Sequence, residues 1–302
     1  RVREPDTSRL RQLFVELEFH TLAKSIGDTV ATIAAAAPLG APEAVPEVTR
    51  PAMNYVTVDT IPMLERMIAR ARKAPYIAVD TETVIEPGSP QKVDPLRSIL
   101  VAISIAVGPG EAFYLPLRHR VHHPEQGDLQ LGDEGDTEPG SDADEANAAK
   151  PKQRRAVRAK TAKPAEPSSI AARALVNGAP AVKNLPPLDD PSMAPLRALL
   201  EDPAVPKVAQ NAKYDLLVLR RAGVTLSGLV SDTMLASYVL DPGRRSHGLD
   251  LLALEFLDHT MTSYEDLCGK GKQQLPYDVV PISCARDYSC EDADVTWQLE
   301  QR

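Results

Sequence analysis

The apolar stretch YIAVDTETVI, residues 76–85, carries two acids within a segment that otherwise has the pattern of a buried strand. Successive side chains of an extended strand point to opposite faces, so Asp80 and Glu82 share one face while Val79 and Thr81 take the other. Two carboxylates held this close repel each other, and one takes up a proton unless a cation lies between them. The stretch therefore indicates a metal site, with a solvent-facing strand end as the alternative.

The size and composition of the chain predict a folded domain. Of its 302 residues 43% are hydrophobic, which is enough to bury a sizeable core. The sequence has no apolar run of bilayer-spanning length and no apolar signal core at its start, so we expect no membrane partner and a cytoplasmic location. The chain does not begin with Met, which indicates a fragment or a processed protein. Its cysteines, Cys268, Cys284 and Cys290, form no CxxC pair, which argues against a zinc ribbon.

A change of composition interrupts the chain at about residues 121–187. An acidic block there is followed by a basic one, with hardly any aromatic or β-branched residues, so we expect a disordered insertion. Its basic half is either a solvated linker or a tail for nucleic acid or a protein partner. The acidic half contributes to the formal net charge of −8, which would otherwise count against a nucleic-acid partner.

The rest of the chain divides into a short N-terminal region and one larger domain. Residues 1–52 contain a helical pattern over residues 6–26 and an Ala/Pro-rich linker. Residues 53–302 are rich in strand patterns before the insertion and in helix patterns after it, including a last helix through Tyr288 to Leu299. The expected fold class is α/β, with a mixed, incompletely parallel β-sheet flanked by helices.

Further acids lie on the predicted helices. Asp215 falls in the first turn of a helix, where the helix dipole alone could explain an acid. In the last helix Tyr288 and Asp292 are four residues apart and share a face, while Asp294 points roughly the opposite way. Glu291 lies near enough to the shared face to be a rival for Asp292.

Together, Asp80, Glu82, Asp215, Tyr288 and Asp292 form a set that suits a two-metal phosphodiesterase. Carboxylate oxygens are hard ligands of the kind that Mg²⁺ and Mn²⁺ prefer. Two such ions about 3.5 to 4 Å apart can stabilise the attacking and leaving oxygens of an in-line displacement together.

The sequence resembles the 3'→5' proofreading exonuclease domain of family A DNA polymerases, the bacterial DNA polymerase I type. The resemblance covers about residues 53–302 without the insertion, and the N-terminal helix resembles the segment preceding that domain. It implies a ribonuclease H-like (DEDD exonuclease) fold. Five blocks occur in the family's order: VDTET (79–83), VAQNAKYD (208–215), DTMLASYVL (232–240), GKGKQQL (269–275) and YSCEDADVT (288–296).

The resemblance assigns roles to the acidic set. It implies that Asp80 bridges two divalent metal ions, Mg²⁺ or Mn²⁺, that Glu82 and Asp292 help to hold one, and that Asp215 anchors the other. Tyr288 and Glu82 would orient the attacking water. The implied substrate is DNA with a single-stranded 3' end, bound by a monomer close to the bacterial nucleoid. DNA contacts are expected at Gln210, Asn211, Lys213, Tyr214, Arg245 and Tyr264.

One segment departs from the family. Members have an apolar residue shortly after DTET that wedges against the terminal base, whereas this chain continues VIEPGSPQKVDPL, with Ile85 as the nearest candidate and Glu86 beside it. A family A polymerase would continue past residue 302 into a DNA-synthesising domain covalently joined to this one. Two alternatives stay open: a ribonuclease D-like exoribonuclease, and a binding module of the same fold that holds single strands without cutting them.

Overall fold

The computed structural model describes residues 7–17, 19, 52–91, 93–123, 169–176 and 178–302. The α-helices are α1 Thr7–Glu16, α2 Ile61–Ala71, α3 Ile170–Leu175, α4 Ala194–Glu201, α5 Ala212–Arg221, α6 Thr233–Leu240, α7 Leu249–Leu257, α8 Tyr264–Cys268 and α9 Ile282–Leu299. The strands are β1 Asn54–Thr57, β2 Ile77–Ile85, β3 Ser98–Gly108, β4 Glu111–Pro116, β5 Lys207–Ala209 and β6 Leu229–Asp232. Short 3-10 helices cover Pro191–Met193, Gly271–Gln273 and Tyr277–Val279.

The strands form one mixed sheet in the order β1-β4-β3-β2-β5-β6. The strand β3 runs antiparallel to its neighbours β2 and β4, whereas β1–β4, β2–β5 and β5–β6 are parallel pairs. Strand β2, which carries Asp80 and Glu82, therefore lies in the interior of the sheet. This arrangement confirms the predicted mixed α/β class.

The two faces of the sheet carry different side chains. On one face Ile77, Val79 and Ile103 join a large aliphatic core with α2, α4 and α5. On the other face the sheet presents small residues such as Ala78 and Ala102, and α9 packs there. Small side chains let a helix approach a sheet closely. Asp80 and Glu82 have the same strand parity as Ala78, so they face α9.

The predicted end of the insertion was wrong. The sequence predicts a disordered segment up to about residue 187, but helix α3 lies within its last part. This helix begins after Ser169, whose hydroxyl accepts a hydrogen bond from the Ala172 backbone N–H. Ala171 and Leu185 are buried, and the Leu185 N–H donates to the carbonyl of Pro116. A cap and these apolar anchors are sufficient to order this end of the segment. Residues 124–168 lie outside the described part of the chain.

The predicted N-terminal helix is described only in part. Helix α1 covers Thr7–Glu16, and Arg11 contacts Asp258 and Thr260 just after α7. The remainder of the predicted helix and most of the Ala/Pro-rich linker lie outside the described residues. Among the helices that the structure does describe, none combines the length and the apolar character needed to cross a membrane.

A single carboxylate ties α5 to α6. Asp232 ends β6 and accepts hydrogen bonds from the backbone N–H groups of Met234 and Leu235 at the start of α6. It also accepts them from Asn211 and Ala212 at the start of α5, at 3.1 and 2.9 Å. Asn211 has the left-handed backbone conformation, with φ of 60°. The first turn of α5, which contains Asp215, is therefore held through Asp232.

Replacing Asp232 by Ala should destabilise the fold by about 3 kcal/mol, because two helix starts lose their side-chain acceptor. Urea unfolding followed by circular dichroism measures this change. Ser263→Ala is the matched control, since Ser263 caps only the short helix α8 and its loss should cost about 1 kcal/mol. Equal losses in the two variants would contradict the double role of Asp232.

Candidate active site

The core of the site is an acid pair on β2 opposite an acid on α9. Carboxylate oxygens of Asp80, Glu82 and Asp292 all lie within 4.8 Å of one another. Asp80 and Asp292 are half-buried and Glu82 is buried, with 8% of its surface exposed. The structure therefore brings together the three acids that the family resemblance assigns to one metal ion.

Helix α9 orients its acids in different directions. Tyr288 lies one turn before Asp292, and the two side chains interact at the site. Glu291 instead bonds His259 Nε2 at 2.7 Å and accepts the Thr262 N–H at 2.9 Å. Of these two acids, Asp292 is therefore the one whose carboxylate lies beside Asp80 and Glu82. Asp294 points away, as predicted, and accepts hydrogen bonds from the Tyr55 hydroxyl and the Gly110 N–H.

Asp215 reaches the site from α5, on the other side of β2. It is 3% exposed, and Thr81 donates its hydroxyl to Asp215 Oδ1 at 2.6 Å. Thr81 has the opposite strand parity from Asp80 and Glu82, so it can hold Asp215 without occupying the acid-lined face. Asp215 is not part of the group of oxygens within 4.8 Å, but the charge of Asp80 still affects its pKa.

Burial and mutual repulsion make these carboxyl groups unusually basic. Burial raises the pKa of Asp80 to about 6. Burial and the neighbouring charge of Asp80 raise the pKa values of Glu82, Asp215 and Asp292 well above their ordinary range. The pKa of Tyr288 is also raised, by burial and then by the charges of Asp292 and Glu82. Tyr288 is therefore a protonated hydrogen-bond donor.

The donor set fits a divalent cation. Glu82 Oε1 is buried and has no hydrogen-bond partner among the described residues, so a ligand for this oxygen is missing from the protein itself. Clustered carboxylate oxygens are the donors that Mg²⁺ and Mn²⁺ prefer. A cation would also relieve the repulsion that raises the pKa values of these acids.

The residues expected to contact DNA fall in two groups. Tyr264 is 38% exposed and its ring lies edge-on to that of Tyr288, with centroids 6.4 Å apart, so it borders the acid cluster. Lys213 and Arg245 are exposed. Tyr264, Lys213 and Arg245 therefore present accessible surface to a ligand.

The other expected contacts serve the fold as well. Gln210 donates to the carbonyl of His247 at 2.9 Å and accepts a hydrogen bond from Thr233. The Tyr214 hydroxyl bonds Thr83 at 2.7 Å and Ser98 at 2.9 Å. Asn211 contributes the left-handed turn before α5. Contact with DNA stays a prediction for these residues.

The expected wedge at Ile85 also stays a prediction. Ile85 is the last residue of β2, is half-buried and pairs with Ser98, while Glu86 pairs with Arg221. The loop that follows exposes two larger apolar surfaces, because Val93 is 70% and Leu96 64% exposed.

Several residues around the site were missed by the sequence reasoning. Thr81 and Asp232 position Asp215, while the hydroxyls of Ser289 and Tyr277 lie beside Glu82. For Thr81 and Asp232 the sequence does contain a local signal. Strand parity places Thr81 opposite Asp80, and an Asp directly before a helix pattern is typical of an N-cap. The position of Tyr277 depends on tertiary packing, for which the sequence has no local signal.

Comparison with known proteins finds a matching family model and similar sequences. A family model described as 3'-5' exonuclease matches residues 177–302. DNA polymerase I of Rhizobium leguminosarum is 34% identical over 254 residues, which cover 81% of this chain and 19% of the relative. DNA polymerase I of Pseudomonas aeruginosa is 32% identical over 237 residues, covering 78% of this chain and 19% of the relative. The chain thus spans about a fifth of the length of these relatives.

Solved structures are more distant. Ribonuclease D of Trypanosoma brucei gives a TM-score of 0.48 at 12% identity, covering 82% of this chain and 64% of that protein. NrnC of Brucella melitensis bound to pGG gives 0.46 at 14% identity, covering 83% and 79%. The sequence comparison favours the polymerase alternative, because the relatives named above are DNA polymerases I. Residues 177–302 thus match the 3'-5' exonuclease family, and most of the chain is similar to a segment of DNA polymerase I.

Proposed function

We propose that this chain hydrolyses the terminal phosphodiester at the 3' end of single-stranded or frayed DNA, as the proofreading exonuclease of a DNA polymerase I. The observation that carries the proposal is the meeting of Asp80, Glu82 and Asp292 oxygens within 4.8 Å, beside Tyr288. The expected product is a deoxynucleoside monophosphate. The parent protein would add a DNA polymerase domain, and the exonuclease would act as a monomer in the cytoplasm near the nucleoid.

Two divalent ions, Mg²⁺ or Mn²⁺, would supply a water of lowered pKa and stabilise the attacking and leaving oxygens when bound. Asp80, Glu82 and Asp292 would hold one ion, and Asp80 and Asp215 the other. Thr81 supports this division, because its hydrogen bond orients Asp215, whose pKa is raised by burial and by the nearby charge of Asp80.

Tyr288 and Glu82 would position the attacking water. Tyr288 keeps its proton because its pKa is raised, so its hydroxyl can donate a hydrogen bond toward the reacting oxygens. Glu82 is ionised when a cation is nearby and can accept one. Tyr264, next to the Tyr288 ring, is placed to stack on a base of an unpaired strand.

Asp80→Ala should abolish exonuclease activity. A 5'-labelled single-stranded DNA with a free 3' end should shorten from that end in Mg²⁺, and the rate should fall in the variant by more than about 100-fold, the upper range for outer-shell partners of a metal. Asp287→Ala is the control, since Asp287 is exposed on the same helix and pairs with Arg286. A folded wild-type protein that does not cut DNA in Mg²⁺ or Mn²⁺ would favour the binding module, and faster cutting of RNA would favour a ribonuclease.

Tyr288→Phe should separate metal binding from the reaction. The carboxylates remain, so the loss of Mn²⁺ affinity should be smaller than the loss of kcat, which falls about 100-fold because a positioned donor is lost. Isothermal titration calorimetry and single-turnover digestion measure the two quantities. A loss of Mn²⁺ affinity equal to the loss of kcat would show that Tyr288 acts on the metal site instead.

In the metal-free protein the raised pKa values predict that the folded state loses stability as the pH rises. A carboxyl group whose folded pKa exceeds its unfolded value binds more protons when folded, so stability is lost as pH rises from about 4 to above 6 for Asp80. Asp80→Asn removes this penalty. In EDTA the variant should melt about 5 °C higher than wild type at pH 8, with the gain nearly gone at pH 4. A gain independent of pH would contradict the raised pKa.

A further inference from the structure

An exposed tyrosine on α6 lies flat on a buried histidine. The rings of Tyr238 and His247 are stacked, with centroids 3.5 Å apart and an interplanar angle of 27°. His247 is 5% exposed, whereas Tyr238 is 52% exposed. Because the imidazole covers one face of the Tyr238 ring, the exposed surface of this side chain includes the opposite face. This stacked pair, called the platform below, therefore presents a flat aromatic surface to a ligand.

The histidine beneath Tyr238 is fixed by hydrogen bonds. Ser237 Oγ lies 2.7 Å from His247 Nδ1, and both residues are buried. The His247 carbonyl accepts a hydrogen bond from the Gln210 side-chain amide at 2.9 Å, and Gln210 in turn accepts one from the Thr233 hydroxyl. His247 is thus held through its ring and through its backbone. The platform is ordered before a ligand binds, which reduces the entropy cost of binding.

The platform lies along the edge of the sheet that extends from the acid cluster. Strands β2, β5 and β6 are parallel neighbours, and the register of β2 with β5 places Gln210, directly after β5, level with Asp80. Strand β6 ends beside β5 at Asp232, from which α6 and its Tyr238 continue. Two strand spacings amount to about 10 Å, which is the distance across the sheet from β2 to the start of α6. Ligands of open α/β sheets bind at such carboxyl ends of parallel strands.

The chemistry of this surface suits an unpaired nucleic-acid strand. Every base has a π-face, so bases stack on exposed aromatic side chains without regard to sequence. Arg245, two residues before His247, is exposed and adds positive charge to the same loop, as phosphate groups require. A protein docked on α6 would also cover Val239, which is 82% exposed, whereas a stacked base needs only the ring of Tyr238.

We propose that Tyr238, supported by His247, stacks on a base of the unpaired strand upstream of the 3'-terminal nucleotide. This inference rests on the proposed exonuclease function and adds a binding subsite beyond the acid cluster and Tyr264. Tyr238 lies on α6, two strands away from the carboxylates of β2. It therefore serves the binding of DNA and not the chemical step.

The test combines loss of the ring with loss of the base. Release of the first nucleotide in Mg²⁺ is measured on single-stranded DNA in which an abasic nucleotide replaces, in turn, each of the three nucleotides upstream of the terminal one. Tyr238→Leu removes the aromatic face and keeps an apolar cover on His247. On intact DNA its KM should rise about 10-fold, the effect of one lost base stack, while kcat at saturating DNA stays unchanged. At one position the abasic nucleotide should raise the KM of wild type similarly and leave that of Tyr238→Leu unaltered.

Two control variants separate stacking from other contacts of α6. Tyr238→Phe keeps the ring, and Val239→Ala changes the adjacent exposed side chain, so both should retain the wild-type KM. An equal rise in KM for Val239→Ala would indicate a general contact of the helix surface and overturn the inference. A folded Tyr238→Leu protein with wild-type KM, or with the wild-type response to every abasic position, would overturn it as well.

The proposed function is tested separately from the platform. A wild type that does not cut DNA would overturn the exonuclease, and the same DNAs are then compared by fluorescence anisotropy in EDTA. Binding about 10-fold weaker for Tyr238→Leu than for wild type would still support the platform, whereas an equal Kd would overturn it. Circular dichroism checks the folding of each variant, and Tyr238→Ala replaces Tyr238→Leu, with the same expected results, if the latter does not fold.

Discussion

Repulsion among buried carboxylates is the constraint on which the rest of this structure depends. Asp80, Glu82, Asp215 and Asp292 come from three separate elements and meet in a region where burial raises each of their pKa values. Without a cation such a cluster destabilises the folded state at neutral pH. A divalent cation bound between these acids, as proposed above, would offset that cost.

The supporting structure is arranged around that constraint. Alanines on one face of the sheet let α9 lie close to β2. Because of this close packing, Asp292 on α9 reaches Asp80 and Glu82 on β2. On the other side Asp232 fixes the start of α5, and Thr81 then orients Asp215. The packing of α9 and the hydrogen bond of Thr81 therefore bring Asp292 and Asp215 to β2 without any ion.

Much of this could be predicted from the sequence because the signals are local. Strand parity placed Asp80 and Glu82 on one face, and helix periodicity placed Tyr288 and Asp292 together. The misses have physical causes. Strand β6 is only four residues long and lacks an apolar run, so no pattern marked it. Helix α3 and Leu185 are held by packing against the folded domain, which the composition of residues 121–187 as a whole does not show. The choice between Glu291 and Asp292 required the position of His259, which only the tertiary structure provides.

The most direct test of this account is a crystal structure of the chain soaked in Mn²⁺, with anomalous diffraction recorded at the manganese edge. The account predicts one anomalous peak in contact with oxygens of Asp80, Glu82 and Asp292, and a second between Asp80 and Asp215. The second peak is expected to strengthen when a nucleoside monophosphate is added, since the product phosphate would complete its ligands. An ordered carboxylate cluster with no peak beside it at saturating Mn²⁺ would contradict the account.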